Sequence, residues 1–232
     1  MFTLQHFIWL GIAISLIVTA LILLKKYNVS PKIVGKVAMI IAIAGKLFHL
    51  FLSIKDTGDG GVILQSQLDF HLCSIQVYLL IACHLMKDEN KINSVKSFMA
   101  PTMAIGAFLA LIIPTEGADF AKPRVWQYMI VHTNLMFYGL YLMIVEKVDL
   151  SKKAYVRNLI SLSGLAMVAL MMNSILESYD TNFLFLRNPP MENLPILNLN
   201  NGYLVYLLSL ILIAITIFTA VHLPFMLKKS KK

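Results

Sequence analysis

Residues 203–227 read YLVYLLSLILIAITIFTAVHLPFML, a stretch of 25 residues without a single Asp, Glu, Lys or Arg. An α-helix needs around 20 mainly apolar residues to cross a bilayer core of about 30 Å. This stretch is therefore long and apolar enough to be a transmembrane helix. Comparable stretches recur along the whole chain, and seven spans are predicted: 4–24, 33–54, 70–86, 97–113, 125–145, 155–176 and 203–227.

The composition of the chain agrees with this prediction. Of its 232 residues, 58% are hydrophobic and 14% are charged, whereas soluble domains average roughly 45–50% apolar and about 25% charged residues. A chain of this length has too little interior to bury so much apolar surface, which excludes soluble globular and disordered proteins. We therefore expect an all-α polytopic membrane helix bundle, with residues 1–232 forming a single integral membrane domain.

The basic residues predict the orientation of the bundle. Lys and Arg collect in short cytoplasmic loops, and 15 of the 20 basic residues fall in one set of alternate loops and the C-terminal tail. The N-terminus is therefore expected outside and the C-terminus in the cytoplasm, in a multi-pass protein of the cell membrane. The net charge of +8 is explained by this orientation, so nucleic acid is not expected as a partner.

Polar and ionisable side chains inside the predicted spans gather at one depth of the membrane. Such a side chain costs at least about 2–3 kcal/mol within a span, so it is a functional hypothesis by default. Because each helical residue advances about 1.5 Å, these residues all fall in the outer half of the bundle. They are Lys46, His49, His71, Cys73, Gln76, His132, Asn134, Asn173 and Glu177. Packing alone does not require this coincidence, which favours a functional site.

The two cysteines, Cys73 and Cys83, are expected to differ in role. They lie ten residues apart on one predicted helix, about 15 Å along its axis, whereas a disulfide needs Cα atoms within about 7 Å. Cys83 is expected to fill apolar space. Cys73 lies near the outer end of its span, close in sequence to His71 and Asp69, and a neighbouring cation or base favours the nucleophilic thiolate. Cys73 is therefore a candidate nucleophile.

A metal site is a competing use of the same polar residues. The ligand types suit zinc, and the possible ligands are His49, His71, Cys73, His132 and Glu177. No short ligand pair such as H-x-x-x-H or C-x-x-C is present, so every ligand would have to come from a different helix. We predict neither a bound metal nor a cofactor.

The longest predicted outer loop, residues 177–202, combines apolar residues with turn formers. Residues 183–186 read FLFL and are followed by RNPP at 187–190. Such a mixture is typical of a segment that folds back onto the protein. A lid over the bundle and an ordinary outer connection are both compatible with this pattern.

Three short motifs resemble a known family. Residues 69–74, DFHLCS, are similar to the P-L-H-L-C-[DS] signature of the bacterial YwaF-like integral membrane proteins, which are related to the transmembrane protein 164 acyltransferases. Residues 181–189, TNFLFLRNP, resemble the T-N-Y-M-F-L-x-x-K-P motif that precedes the last span in that family. The third match is His132, in a mid-chain span.

The resemblance implies a lipid acyltransferase that forms an acyl-thioester near the outer leaflet, with a membrane lipid as its substrate. Carried over by position, Cys73 is the nucleophile and His132 the general base, while His71 and Asn182 match the motifs without an assigned role. A thioester route needs a thiolate and a base within reach and donors for the developing oxyanion. The candidate donors are Gln76, Asn134 and Lys46.

A membrane transport or ligand-binding protein is the alternative. In that interpretation Lys46, His49, His132 and Glu177 form an outer-half site for an anion or a proton. Transport requires access from both sides of the membrane. The inner half of the predicted spans offers only His84, a few hydroxyl groups and His222, which favours the enzyme.

Overall fold

The computed structural model describes residues 2–57, 68–191, 194 and 196–227, without the side chains of 55–57. The described residues are helical, with no strand among them. The helices are α1 (Leu4–Tyr27), α2 (Pro31–Thr57), α3 (Leu72–Leu85), α4 (Glu89–Ile112), α5 (Pro123–Tyr141), α6 (Lys152–Ile175) and α7 (Tyr203–Met226). A π-helical segment, Leu142–Glu146, extends α5, and two 3₁₀ turns follow α6 at Glu177–Tyr179 and Phe183–Phe185.

The predicted all-helical membrane bundle is confirmed. Six of the seven helices, all except α3, are long and apolar enough to cross a membrane. Helix α3 has 14 residues, which is about 21 Å at 1.5 Å per residue and shorter than the bilayer core. The orientation of the termini stays a prediction.

Helix α4 begins eight residues before the predicted start of its span at Ser97. Asp88 is its N-cap, and its carboxylate accepts hydrogen bonds from the backbone N–H groups of Asn90 and Lys91. Such a cap satisfies N–H groups that have no partner inside the helix. The polar stretch that was predicted to be a loop is therefore the first part of a helix, and Lys96 lies within it.

The outer surface of the helices is apolar, as a bilayer requires. Along α7 the side chains of Leu204, Leu208 and Leu212 are 67%, 57% and 67% exposed. Their spacing of four residues places them on one face of the helix. Monomeric soluble proteins rarely expose so much contiguous apolar surface, so this face is suited to contact lipid.

The helices group into two compact units. The first, here the α5 unit, comprises the described residues of Met1–Ile63 and Cys73–Asp149, and the second, the α6–α7 unit, those of Leu64–Leu72 and Leu150–Lys232. The single domain over 1–232 stays a prediction.

In the α5 unit, helix α5 packs against α1, α2 and α4. Helix α5 approaches α4 closely at Gly139, where an added Cβ would lie 2.7 Å from the Ala104 nitrogen and 2.8 Å from the Ala100 oxygen. On the side of α2, Gln127 donates to the Gly45 carbonyl at 3.0 Å, and Asn134 donates to the Ala38 carbonyl at 3.0 Å. These bonds set the height of α2 relative to α5.

In the α6–α7 unit, the segment that follows α6 folds back onto the helices. Phe183 is fully buried and Leu186 nearly so, in a cluster with Ala169 of α6. Asn173 of α6 holds this segment through both polar atoms of its amide, donating to the Phe183 carbonyl at 3.1 Å and accepting from the Phe183 N–H at 2.8 Å. The segment after α6 is therefore packed onto its own helices, which is compatible with the lid interpretation.

Candidate functional site

Cys73 is the second residue of α3, and its side chain is half-buried and free of any disulfide. Cys83, near the other end of the same helix, is also free, and its Sγ lies 3.8 Å from the Met99 Sδ. The contact between two sulfur atoms agrees with the predicted space-filling role of Cys83. Cys73 therefore stays the candidate nucleophile.

His132 of α5 is oriented as a base. Its Nδ1 lies 2.8 Å from the Tyr128 carbonyl oxygen, one helical turn earlier. A carbonyl oxygen only accepts hydrogen bonds, so Nδ1 carries the proton and donates, and this fixes the tautomer of the neutral ring. The lone pair of the neutral imidazole is then on Nε2, which is the atom able to take a proton.

The Tyr128 side chain packs against His132 and bonds to α4. Its ring centroid lies 4.1 Å from that of His132, and its hydroxyl donates to the Ala110 carbonyl of α4 at 3.0 Å. No hydrogen bond joins the Cys73 thiol to the His132 ring among the described residues. Cys73, Tyr128 and His132 all belong to the α5 unit.

Gln76 lies one turn after Cys73 and is fully buried. Its Nε2 donates to the Thr102 hydroxyl oxygen at 3.0 Å, and that hydroxyl in turn donates to the Phe98 carbonyl at 2.7 Å. Because the Thr102 proton is directed to Phe98, the Gln76 amide has its nitrogen toward Thr102. Its Oε1 is buried and has no hydrogen-bond partner among the described residues. Such an orphan acceptor is uncommon and suits a ligand that donates a hydrogen bond.

The predicted residues of α2 lie beside the first half of α5. Gly45 faces Val131 and accepts from Gln127, so its neighbour Lys46 lies at the level of the first half of α5. Lys46 and His49 are half-buried, and each makes further interactions within the protein. Their depth in the membrane stays a prediction.

Asn134, a predicted oxyanion donor, makes a hydrogen bond to the backbone of α2. The side chain is buried, and one of its N–H donors is committed to the Ala38 carbonyl at 3.0 Å. Its predicted contribution to an oxyanion site would therefore depend on the second N–H. The same restriction applies to Gln76, because one N–H of its amide already donates to Thr102.

Four of the predicted site residues belong to the other unit. They are His71, Asn173, Glu177 and Asn182, whereas Lys46, His49, Cys73, Gln76, His132 and Asn134 belong to the α5 unit. The predicted set of ten is thus divided between two units, which helical depth alone did not reveal.

His71 precedes the first residue of α3 and packs against aromatic rings. Its ring centroid lies 5.6 Å from that of Phe183 and 5.6 Å from that of Phe185. Burial lowers the pKa of His71 from its usual value, and the nearby Asp69 carboxylate opposes this effect. A neutral, aromatic-packed ring is favoured here.

Asn182 shapes the folded-back segment. Its Oδ1 accepts from the backbone N–H groups of Arg187 and Asn188 at 3.0 and 3.2 Å, and its Nδ2 donates to the Asn188 carbonyl at 2.9 Å. These bonds close a turn within the motif that the family resemblance singled out. The turn positions Arg187, whose ion pair with Glu177 was not predicted.

Three residues of interest were missed by the sequence analysis. Thr102 orients Gln76, Arg187 pairs with Glu177, and Lys96 forms an ion pair with Glu146 in which both side chains are about 15% exposed. Lys96 was predicted to lie in a loop, and it lies in α4 because this helix begins earlier than predicted. Arg187 had a signal, since it is the one cation of the matched motif.

A metal site receives no support from the arrangement. Among the described residues, no group of three or more His, Cys, Asp or Glu side chains is arranged to hold a metal ion. The five residues considered as zinc ligands are also divided between the two units.

Comparison with known proteins gives one result. A model of the TMEM164 family matches residues 1–221. No curated protein and no solved structure matches the chain significantly. The family match extends from α1 into the last turns of α7 and so includes the Cys73, His132 and Asn182 positions. This chain is therefore a multi-pass integral membrane protein that belongs to the TMEM164 family.

Proposed function

We propose that this protein is a cysteine-dependent lipid acyltransferase, with Cys73 as the nucleophile and His132 as the general base. The observation that carries the proposal is the tautomer of His132, whose Nδ1–H is held by the Tyr128 carbonyl so that Nε2 can accept a proton. Cys73 and His132 belong to the same compact unit. Membership of the TMEM164 family supports the assignment of both positions.

The first half of the reaction forms the thioester. Nε2 of His132 takes the proton of the Cys73 thiol, and the thiolate attacks the ester carbonyl of the donor lipid. An Sγ–C bond forms and the C–O bond to the donor alcohol breaks. The departing oxygen takes the proton back from the imidazolium, which restores neutral His132.

The second half transfers the acyl group. The hydroxyl of the acceptor lipid loses its proton to Nε2 of His132 and attacks the thioester carbonyl. A new C–O bond forms, the C–S bond breaks, and the imidazolium reprotonates Cys73. Water in place of the acceptor would give hydrolysis by the same steps.

The absence of a thiol–imidazole hydrogen bond is compatible with this route. Hydrogen bonds of catalytic groups are often long in the free protein and tighten only when substrate binds. Gln76 supplies a further element, since its buried, unpartnered Oε1 lies one turn from Cys73. It is suited to accept a hydrogen bond from the acceptor hydroxyl and so to position that group.

The membrane gives lipid access without a water-filled channel. Acyl chains can approach the helices sideways from the bilayer, since their outer faces are apolar. The asymmetry of the basic loops favours an orientation that places the reaction near the outer leaflet, and the resemblance to the bacterial YwaF-like proteins favours a bacterial plasma membrane.

Labelling of the cysteines tests the proposal. A thiol-reactive acyl probe should label the full-length protein in membranes, and Cys73→Ala should abolish this labelling. Cys83→Ala is the matched control, since it removes the second thiol of the same helix and should leave labelling intact. Mass spectrometry should find a hydroxylamine-sensitive acyl group on Cys73. Wild-type protein that carries neither label nor acyl group at Cys73 would contradict the proposal.

One observation favours the transport alternative. The half-buried Lys96–Glu146 ion pair lies near the end of α5 opposite to Tyr128 and His132, so charged groups are present toward both ends of the unit. Flux of protons or solute into liposomes that persists in Cys73→Ser protein and is lost in Glu146→Gln protein would support transport. Thioester formation without any flux would exclude it in favour of the enzyme.

A further inference from the structure

The α6–α7 unit contains a cavity of about 350 Å³. Its walls come from the end of α6, the folded-back segment and the start of α7, and include Asn173, Glu177, Arg187, Asn188 and Tyr203. The volume falls within the range of about 300–1,000 Å³ that is typical of small-ligand sites. The lining combines the ion pair of Arg187 and Glu177 with amide groups and apolar surface. The cation suits a ligand with an anionic head and an apolar body once it exchanges its partner.

Arg187 is positioned in this wall but only lightly held. Its Nη2 donates to the Glu177 Oε1 at 3.2 Å, and its Nη1 lies 3.5 Å from the Thr181 carbonyl. The Glu177 side chain is 74% exposed, and exposed ion pairs contribute little stability. A guanidinium has five N–H donors in a fixed plane that matches the oxygens of a phosphate. A phosphate could therefore replace Glu177 at little cost.

The beginning of α7 adds a second feature that favours an anion. Tyr203 lines the cavity and is also the first residue of α7. The N-cap is Gly202, at φ 89°, which has no side chain to accept from the N–H groups of the first turn. These N–H groups and the helix dipole make an uncapped N-terminus attractive to phosphate.

Tyr203 also ties the helix to the segment that holds Arg187. Its hydroxyl donates to the Leu186 carbonyl at 2.9 Å, directly before Arg187 in the chain. Asn182 fixes the same turn from the other side by accepting from the Arg187 N–H. The cation and the helix N-terminus are thus held around one cavity before any ligand binds, which lowers the entropic cost of binding.

We infer that this cavity binds a phosphate group through Arg187 and the first turn of α7, and that the phosphate is the headgroup of a phospholipid. The choice of a lipid as the source rests on the proposed function. The cavity lies beside helices with apolar outer faces, so a headgroup can enter while its chains stay in the bilayer. Glu177 competes with the phosphate for the guanidinium and thereby limits the affinity of the site.

Binding to the full-length protein with Cys73→Ala tests this inference, because that variant cannot turn over a substrate. The protein is purified in detergent and titrated by calorimetry with dihexanoyl phosphatidic acid, with dihexanoylglycerol and with inorganic phosphate. We expect the phosphatidic acid to bind at least roughly tenfold more tightly than either of the other two. Equal binding of dihexanoylglycerol would overturn the phosphate site, and equal binding of inorganic phosphate would overturn the lipid source.

Variants of the ion pair distinguish binding from a structural role. Arg187→Gln should weaken phosphatidic acid binding roughly tenfold, and Arg187→Lys, which keeps the charge, should weaken it less. Glu177→Gln should tighten binding, because it removes the competing carboxylate. Arg124→Gln is the matched control, since Arg124 forms a comparable pair with Glu116 in the other unit, and should leave binding unchanged.

The outcomes separate this inference from the proposed function. If Glu177→Gln and Arg187→Gln both leave the affinity unchanged, the headgroup site is wrong, even where a thioester forms on Cys73. If wild-type Cys73 carries no thioester but phosphatidic acid binding follows Arg187 and Glu177 as described, the headgroup site stands and the acyltransferase is wrong.

Discussion

The amide of Asn173 offers the sharpest test of how the segment after α6 is held. Asn173 is 1% exposed, and its two hydrogen bonds satisfy both the N–H and the carbonyl of the fully buried Phe183. Asn173→Leu keeps the approximate volume of the side chain but leaves the Phe183 N–H without a partner, while the Phe183 carbonyl keeps only its bond from the Leu186 N–H at 3.3 Å. A buried polar group left unsatisfied costs about 1–3 kcal/mol. We therefore expect the free energy of unfolding to fall by about 1–3 kcal/mol, the cost of one such group.

The loss should be local to the α6–α7 unit. Limited proteolysis of the purified protein should cut within residues 177–202 much faster in the variant, since release of Phe183 opens the segment. Thermal unfolding in detergent should show a lower melting temperature. Ser174→Ala is the matched control, because Ser174 is the exposed neighbour whose hydroxyl only donates back to the Leu170 carbonyl at 3.1 Å. A variant Asn173→Leu that resists protease and heat as well as Ser174→Ala would refute the reasoning.

Three further perturbations have expected outcomes. Gly139→Ala should destabilise the protein by roughly 1–3 kcal/mol because the new Cβ meets the α4 backbone; thermal melts should show this loss, with a small gain for Gly11→Ala, which meets no atom within 4 Å. Gln76→Leu should leave the melting temperature nearly unchanged, because an apolar group replaces an orphan acceptor, while acyl transfer, measured by lipid mass spectrometry, falls about tenfold. Since burial lowers the pKa of His71, stability should decline as the pH falls below about 6.5, and melts of His71→Phe between pH 7.5 and 5 should lack this decline. Equal melts for the two glycine variants, a Gln76→Leu protein of full activity, or a His71→Phe protein with the wild-type pH profile would each contradict the corresponding expectation.

The spans were predictable because each one depends on the hydropathy of its own stretch of sequence. In a bilayer every backbone N–H and carbonyl must be paired within the protein, so each long apolar stretch becomes a helix. The predicted span 203–227 and the helix Tyr203–Met226 agree to one residue. The start of α4 was missed because a polar first half can be helical when a cap such as Asp88 and a partner such as Glu146 satisfy it.

Neighbours of the candidate site residues on the same helix could be predicted, but their partners from other helices could not. Helical rise alone placed Gln76 near Cys73, and the carbonyl that orients His132 comes from the same helix, one turn before. The partner of Gln76 comes from α4, 26 residues further along the chain. No periodicity in α3 specifies that hydroxyl, because the rotation of one helix against another depends on how all their side chains pack.

The sequence by itself therefore determined the class of protein and its helices, since these depend on local hydropathy, while the common depth of the polar residues stays a prediction. Only the tertiary structure decided which polar groups share a neighbourhood. His71 and Cys73 are two residues apart in the chain yet belong to different units, and Arg187 shares a cavity with the start of α7, 16 residues later. Such groupings result from long-range packing, in which each helix adopts the rotation that buries its small and polar side chains together.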